Sequence, residues 1–203
     1  WASPLVPVIK KASSKLRWCV DFRALNKVTK RDSFPLNSVE TCLSQLSESD
    51  VFSTLDSCGA YHAVTIHPDS RDYTSFIAPQ GLFRFKKLPF GLCNAGATYS
   101  RLIDIALNIF KTKGFAIGYL DDVICYSKGV IRHIPHLRCL LRMHTQFGLK
   151  INLSKCEICQ SKVKYLGHIV SSDGFRMDPE HVTKILDWSP PETGKEMKSF
   201  LGF

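Results

Sequence analysis

Three aspartates carry the chemistry this chain can be expected to do. Asp121 and Asp122 stand side by side inside FAIGYLDDVICYS (115–127), an otherwise apolar stretch. A carboxylate in apolar surroundings is costly to desolvate unless something pairs with it, and two adjacent ones also repel each other. A hard divalent cation such as Mg2+ relieves both problems, because it takes carboxylate oxygens and completes its shell with water and phosphate oxygens. Asp56 closes a second apolar run, VFSTLD (51–56). Brought beside the pair, it would complete a carboxylate cluster of the two-metal kind, which serves both the attacking and the leaving oxygen in phosphoryl transfer. The plain competing reading is that Asp-Asp between strands is a solvated turn. Spacing alone does not make Asp56 and Asp121 meet.

The elements around these acids can be read from pattern. FAIGYL and VICYS are strand-like runs separated by Asp121-Asp122, which predicts a two-residue hairpin with both acids at its tip. VFSTLD reads as a buried strand. PLVPVIKK and LRWCVDF read as strands joined by the polar turn Ala12-Ser13-Ser14, and YTSFIA and FRFKKL as a hairpin around PQG. Helical spacing appears at Val39, Cys42, Leu43 and Leu46, and again at Tyr99, Leu102, Ile103, Ala106, Leu107 and Phe110. A further helix carries Leu137, Leu140, Leu141 and His144; short strands are expected near GLKINL and KYLGHIV. Asp178-Pro179 then opens a helix with Val182, Ile185 and Leu186 inward. Interleaved strands, helices and hairpins predict an α+β fold, a mixed or antiparallel sheet with helices on one face.

The bulk composition is that of a globular chain: 203 residues, 44% hydrophobic and 22% charged. Its apolar runs are far shorter than the roughly 20 residues of a membrane span, so no membrane partner is expected. Net charge is +9, and residues 1–31 hold eight Lys and Arg against Asp21 alone. Such a basic face suits a polyanion, nucleic acid first, or simply a solvated surface. The eight cysteines sit largely in apolar patterns, which fits free thiols in a reducing compartment rather than a secreted disulfide framework. With no initiator Met or leader, and an end at KSFLGF within an apolar pattern, the chain reads as a segment of a longer polypeptide.

Five blocks carry a resemblance: RWCVDFRALNKVT (17–29), FSTLDSCGAYH (52–62), LPFGLCNA (88–95), YLDD (119–122) and KYLGHIVSSDG (164–174). In this order and spacing they resemble reverse transcriptase, more narrowly that of Ty3/gypsy-type long-terminal-repeat retrotransposons. The resemblance spans essentially the whole chain as one reverse transcriptase segment with no second domain. It implies a right-hand palm with partial fingers: about 1–50 as partial fingers with the first palm helix, about 51–203 as palm with a fingers insertion near 63–95, and no thumb. The implied activity is RNA-directed DNA polymerase, a nucleotidyl transfer from dNTP to a primer 3'-hydroxyl, within a Pol polyprotein that can also carry protease, ribonuclease H and integrase.

The same resemblance implies the site. Asp56, Asp121 and Asp122 would hold two Mg2+ ions, with Mn2+ as a substitute. Lys10 and Arg17 would grip the triphosphate, an Arg fork suiting phosphate and a Lys acting as a point charge. Tyr61 would lie beneath the sugar and exclude a 2'-hydroxyl. Phe90 and Gly91 would line the nucleotide pocket, Gly91 allowing close backbone approach. Tyr119, Leu166 and Gly167 would meet primer and template. The implied partners are an RNA or DNA template with its primer strand, dNTPs and the rest of the polyprotein. The implied location is a cytoplasmic particle or the nucleus.

Three positions depart from the family pattern: Gly96 stands where Pro is usual, and Ala63 and Ser100 where Gln is common. Losing the Pro removes a fixed φ before a helix. Two alternatives stay open on sequence grounds. One is an inactive or domesticated relic that keeps only nucleic-acid binding. The other is a zinc module built from His133, His136, Cys156 and Cys159, whose spacing permits a tetrahedral site.

Overall fold

A computed structural model describes residues 2–9, 16–186 and 190–201, with the side chains of residues 9, 17, 181, 184–186, 199 and 200 left aside. Lys10, Lys11, the turn 12–14 and the side chains of Arg17, Ile185 and Leu186 lie outside the described residues.

The chain runs β1 (Ser3–Ile9), β2 (Leu16–Val20), α1 (Arg23–Val28), α2 (Val39–Ser44) and β3 (Val51–Asp56). After two 3-10 turns come β4 (Phe76–Ala78), β5 (Gly81–Phe83), α3 (Ala95–Ile109), β6 (Ala116–Tyr119), β7 (Asp122–Ser127) and α4 (Val130–Gln146). A short 3-10 turn at 153–155 leads into β8 (Glu157–Gln160), β9 (Lys162–Tyr165), β10 (His168–Ser171) and β11 (Gly174–Met177). Helices α5 (Pro179–Leu186) and α6 (Gly194–Leu201) follow. Asp178 starts α5 by accepting the Glu180 amide at 3.1 Å, with Pro179 at the first helical position.

The central sheet has the order β6-β7-β3-β8, all neighbours antiparallel. Its two middle strands are buried on both faces, which is why VFSTL and VIC read as nearly continuous apolar runs. One face carries Leu55, Val123 and Cys125 against Tyr99, Ile103 and Leu107 of α3 and Leu140 and Met143 of α4. The opposite face carries Phe52, Ile117 and Ile124 against Cys42 and Leu43 of α2 and against Val163, Tyr165 and Val170. The last three come from β9 and β10, part of a three-stranded meander of order β11-β10-β9. The fold is thus α+β with its two long helices on one face, as expected, while a small helix and a second sheet cover the other. In the remaining sheet, order β2-β1-β4-β5, β1 pairs antiparallel with β2 and parallel with β4 through Ser3↔Phe76.

Several details differ from the pattern reading. The two-residue loop of the β6–β7 hairpin is Leu120-Asp121, because Tyr119 pairs with Asp122 and Leu120 takes a φ of +53°. Asp122 is therefore the first residue of a strand rather than part of the turn. KYLGHIV is a tight hairpin, turning at Leu166 (φ +48°) and Gly167 (φ +75°). GLKINL forms only an isolated bridge, Ser57↔Ile151. In α4 the buried residues are His133, Leu140, Met143 and His144, whereas Leu141 faces solvent.

Candidate active site

Strand register brings two of the three acids together. Asp56 ends β3, Asp122 begins β7, and the two are direct cross-strand partners. Directly opposed residues project on the same side of a sheet, so both carboxylates stand on the Tyr165 face. There they line a cleft of about 220 Å³ with Lys155, Glu157, Lys164 and Tyr165. Asp121, one residue earlier and on the turn, is turned the other way, and its charge reaches the hydroxyls of Tyr61 and Tyr99. Both phenols are held above their usual range, first by burial and then by that charge.

The electrostatics mark a place that lacks positive charge. Asp122 is exposed by area, yet enough protein stands behind it for desolvation to hold its carboxyl above the ordinary carboxylate range. Asp121 and Asp56 add to that shift by repulsion, and Lys155 opposes it. The Lys155 ammonium lies 3.1 Å from Asp56 Oδ2, so a cation already occupies one side of the acids. Among the described residues no three His, Cys, Asp or Glu side chains are gathered as a ready-made metal site. The donors nonetheless fit a hard ion: carboxylate oxygens alone, mutually repelling, with an ammonium standing in for part of the missing charge.

On the Asp121 side, Gly59 (φ +63°) turns the chain into the 3-10 helix that holds Tyr61. The Tyr61 ring meets Phe90 edge-on at 5.0 Å and Tyr99 at 5.8 Å, while His62 meets Phe90 at 5.3 Å. The Tyr99 hydroxyl bonds Ser57 Oγ at 3.1 Å, tying the turn after Asp56 to α3. Tyr61, Phe90 and Asp121 are thus neighbours, and Gly91 (φ +95°) lies beyond Phe90. A cleft of about 1130 Å³ opens from this cluster toward the N-terminal sheet, lined by His62 and Phe90 and by Leu5, Trp18 and Phe76. Tyr119 and Leu166 pack against the same core on the opposite face, next to the Asp56–Asp122 cleft, and Gly167 completes the Leu166 turn. Arg17 sits on β2, paired with Val8 of β1.

Gly96 is in the first turn of α3 with ordinary φ; an added Cβ would meet Leu120 at 3.6 Å and the Tyr61 hydroxyl at 4.0 Å. A glycine here leaves the first turn of α3 without the fixed φ that a proline would impose. The Ser100 hydroxyl is buried with no hydrogen-bond partner among the described residues. The zinc reading fails on geometry. His133 spends both ring nitrogens on serines, Nε2 on Ser53 at 2.7 Å and Nδ1 on Ser127 at 3.0 Å. His136 bonds Ser127 at 2.8 Å and stacks on Phe115.

Sequence reasoning overlooked Lys155, which no spacing rule ties to an acid 99 residues earlier. It also overlooked the side chains that pin the Phe90 loop to α1.

The family model described as reverse transcriptase (RNA-dependent DNA polymerase) matches residues 9–170. The transposon Tf2-3 and Tf2-7 polyproteins of Schizosaccharomyces pombe are each 33% identical over 201 residues, covering 99% of this chain. The chain spans only 15% of the length of those relatives. The foamy viral protease-reverse transcriptase dRH solved in complex with double-stranded DNA matches with a TM-score of 0.88 and 26% identity, over 99% of this chain and 35% of that one. The same viral protein in complex with RNA/DNA hybrid matches with a TM-score of 0.84 and 25% identity, over 99% of this chain and 27% of that one. Among the described residues no helix is long and apolar enough to cross a membrane.

Proposed function

Because this chain belongs to the reverse transcriptase (RNA-dependent DNA polymerase) family, we propose that it forms the catalytic segment of a polymerase that extends a primer 3'-hydroxyl with dNTPs on an RNA or DNA template. The observation that carries the reading is the Asp56↔Asp122 register with Asp121 on the adjoining turn. These three acids would hold two Mg2+ ions, or Mn2+ in their place. Bound there, the ions would lower the pKa of the primer hydroxyl and offset charge on the phosphates. The protein's own share is positional. β3 and β7 fix two carboxylates by ladder hydrogen bonds, and the Lys155 ammonium keeps Asp56 from standing uncompensated.

Nucleotide selection would rest on Tyr61, whose ring is braced by Phe90 and Tyr99 and so cannot yield to a 2'-hydroxyl. Lys10 and Arg17 would take the triphosphate, and Gly91 would let the backbone approach the nucleotide. Tyr119, Leu166 and Gly167 would contact the primer terminus. The pairing of β4 with β1 supports reading residues near 63–95 as a fingers insertion joined to the partial fingers of residues 1–50, with 51–203 otherwise palm. The long polyprotein relatives support placing the segment in a Pol polyprotein of a retrotransposon, acting in a cytoplasmic particle or the nucleus.

The test uses the full-length parent protein. Primer extension on an RNA template with Mg2+ should vanish in Asp121→Asn while the thermal midpoint holds. Full activity in that variant would overturn the assignment.

A further inference from the structure

The LPFGLC loop that carries Phe90 and Gly91 is held from an unexpected direction. Asn26, on α1, donates from Nδ2 to the Gly91 carbonyl at 2.8 Å, and its Oδ1 accepts the Cys93 amide at 2.9 Å. The sequence separations are 65 and 67 residues. One carboxamide thus satisfies a carbonyl and an N–H of the same turn, as a neighbouring strand would. The turn needs such support: Gly91 lies at φ +95°, and Phe22 and the Val20 carbonyl sit 3.5 and 3.8 Å from where a Cβ would be. At the near end of the loop, the Leu88 amide bonds the Val64 carbonyl at 3.0 Å, and His62 Nδ1 lies 3.1 Å from the Leu88 carbonyl. Phe90 is therefore suspended between two anchors, one of which is Asn26.

Asn26 is itself fixed. Its amide bonds the Phe22 carbonyl at 2.8 Å, and Phe22 is buried at the root of α1. Asp21 secures the start of that helix by accepting the Arg23 amide at 3.0 Å and its guanidinium at 2.7 Å. Next along the loop, Asn94 donates to the Lys30 carbonyl at 2.9 Å and accepts the Asp32 amide at 3.0 Å. That second bond pair anchors the start of α3, so the far anchor of the Phe90 loop is the pair of bonds made by Asn26.

We propose that Asn26 is a positioning residue for nucleotide selection, clamping the 91–93 turn so that Phe90 braces the Tyr61 ring. The inference rests on the reading of Tyr61, Phe90 and Gly91 as the nucleotide pocket. Loosening the turn lets Phe90 withdraw and Tyr61 tilt, which weakens nucleotide binding and widens the space at the sugar. Catalytic carboxylates and primer contacts lie on other elements and are left in place.

The experiment uses the full-length parent protein with Asn26→Ala and Asn26→Asp. Asn26→Asp keeps an acceptor for the Cys93 amide but sets a carboxylate against the Gly91 carbonyl, so the two bonds are separated even if the alanine variant folds poorly. In both variants KM for dNTP should rise about 5- to 30-fold, the range for losing one or two hydrogen bonds. The preference for dNTP over rNTP should fall, with kcat and primer–template affinity within about twofold of wild type, a margin of a few tenths of a kcal/mol. Amide exchange at Cys93 should quicken in Asn26→Ala and stay slow in Asn26→Asp. Unchanged KM and unchanged sugar discrimination would overturn the inference, as would losses confined to kcat or primer affinity. If the wild-type protein fails to extend primers, the polymerase reading falls instead. The clamp is then decided by Cys93 exchange alone, where no change in Asn26→Ala refutes it.

Discussion

Replacing Gly118 with alanine tests how tightly the hairpin that carries Asp121 is seated. Gly118 lies on β6 over α3, and a Cβ there would come below 3.0 Å from Ile103 Cγ2 and to 3.5 Å from Leu107 Cδ1. Ile103 is buried, and its β-branched side chain has essentially one rotamer in a helix, so it cannot swing aside. Overpacking of this kind costs about 1–3 kcal/mol. Alanine recovers about 0.5–1 kcal/mol of that, because glycine in a strand interior is entropically unfavourable. The difference is about 0–2.5 kcal/mol, centred near 1 kcal/mol, and each kcal/mol lowers the thermal midpoint by roughly 2–4 °C for a chain of this size. Differential scanning calorimetry reads it directly. A double-mutant cycle sharpens the test: Ile103→Ala alone should cost about 2–5 kcal/mol, but visibly less in the Gly118→Ala background, since each change makes room for or fills the other. A coupling energy of at least about 1 kcal/mol is expected. Primer extension should fall in the single variant, because β6 leads straight into the Leu120-Asp121 loop. A midpoint within 1 °C of wild type, with additive costs in the cycle, would refute the packing argument.

Three further outcomes follow from the electrostatics. The carboxyl of Asp122 is held above its unfolded value of 3.8, so its favourable contribution is complete below that pH and is lost as pH rises through the folded value. Asp122→Asn should therefore raise the thermal midpoint at pH 7 in chelator, an advantage that shrinks toward pH 3.5 and with added Mg2+. Lys155→Met should change stability by under about 1 kcal/mol, as expected of a solvent-screened pair; the increase in midpoint on adding Mg2+ should become larger, because the competing ammonium is gone. Burial holds His133, His136 and His144 below their unfolded value of 6.5. Their contribution is complete above that pH and is lost as acid titrates them, so urea midpoints should fall from pH 7.5 to 5.5. His144, whose Nε2 is buried with no partner among the described residues, should give a shallower slope as His144→Met, and a protein more stable by about 1 kcal/mol.

What the sequence made legible was local. Val51–Asp56 was readable as a strand because six residues of apolar bias end in an acid, and α3 because Tyr99, Ile103, Ala106 and Leu107 keep helical spacing. The offset at YLDD was not readable: nothing in the letters says that Leu120, and not Asp122, takes the left-handed turn conformation. Leu141 and Met143 were exchanged in α4 for a similar reason, since helical spacing fixes a stripe but not its phase against a particular neighbour. The Lys155–Asp56 pair and the Asn26 clamp were hidden because each joins residues that only tertiary structure makes adjacent. The five motif blocks, by contrast, supplied most of the candidate site residues without any geometry.

The sheet order β6-β7-β3-β8 also has a consequence in time. Asp56 sits on a strand whose partners are made much later, and Lys155 emerges 99 residues after it. At ribosomal speeds of about 5–20 residues per second, that interval is roughly 5–20 s. Throughout it the nascent chain holds first β3 alone and then β3 with the β6–β7 hairpin, but not the finished sheet. The edge strand β8 and the Lys155 counter-charge beside Asp56 are therefore the last parts of this sheet to leave the ribosome.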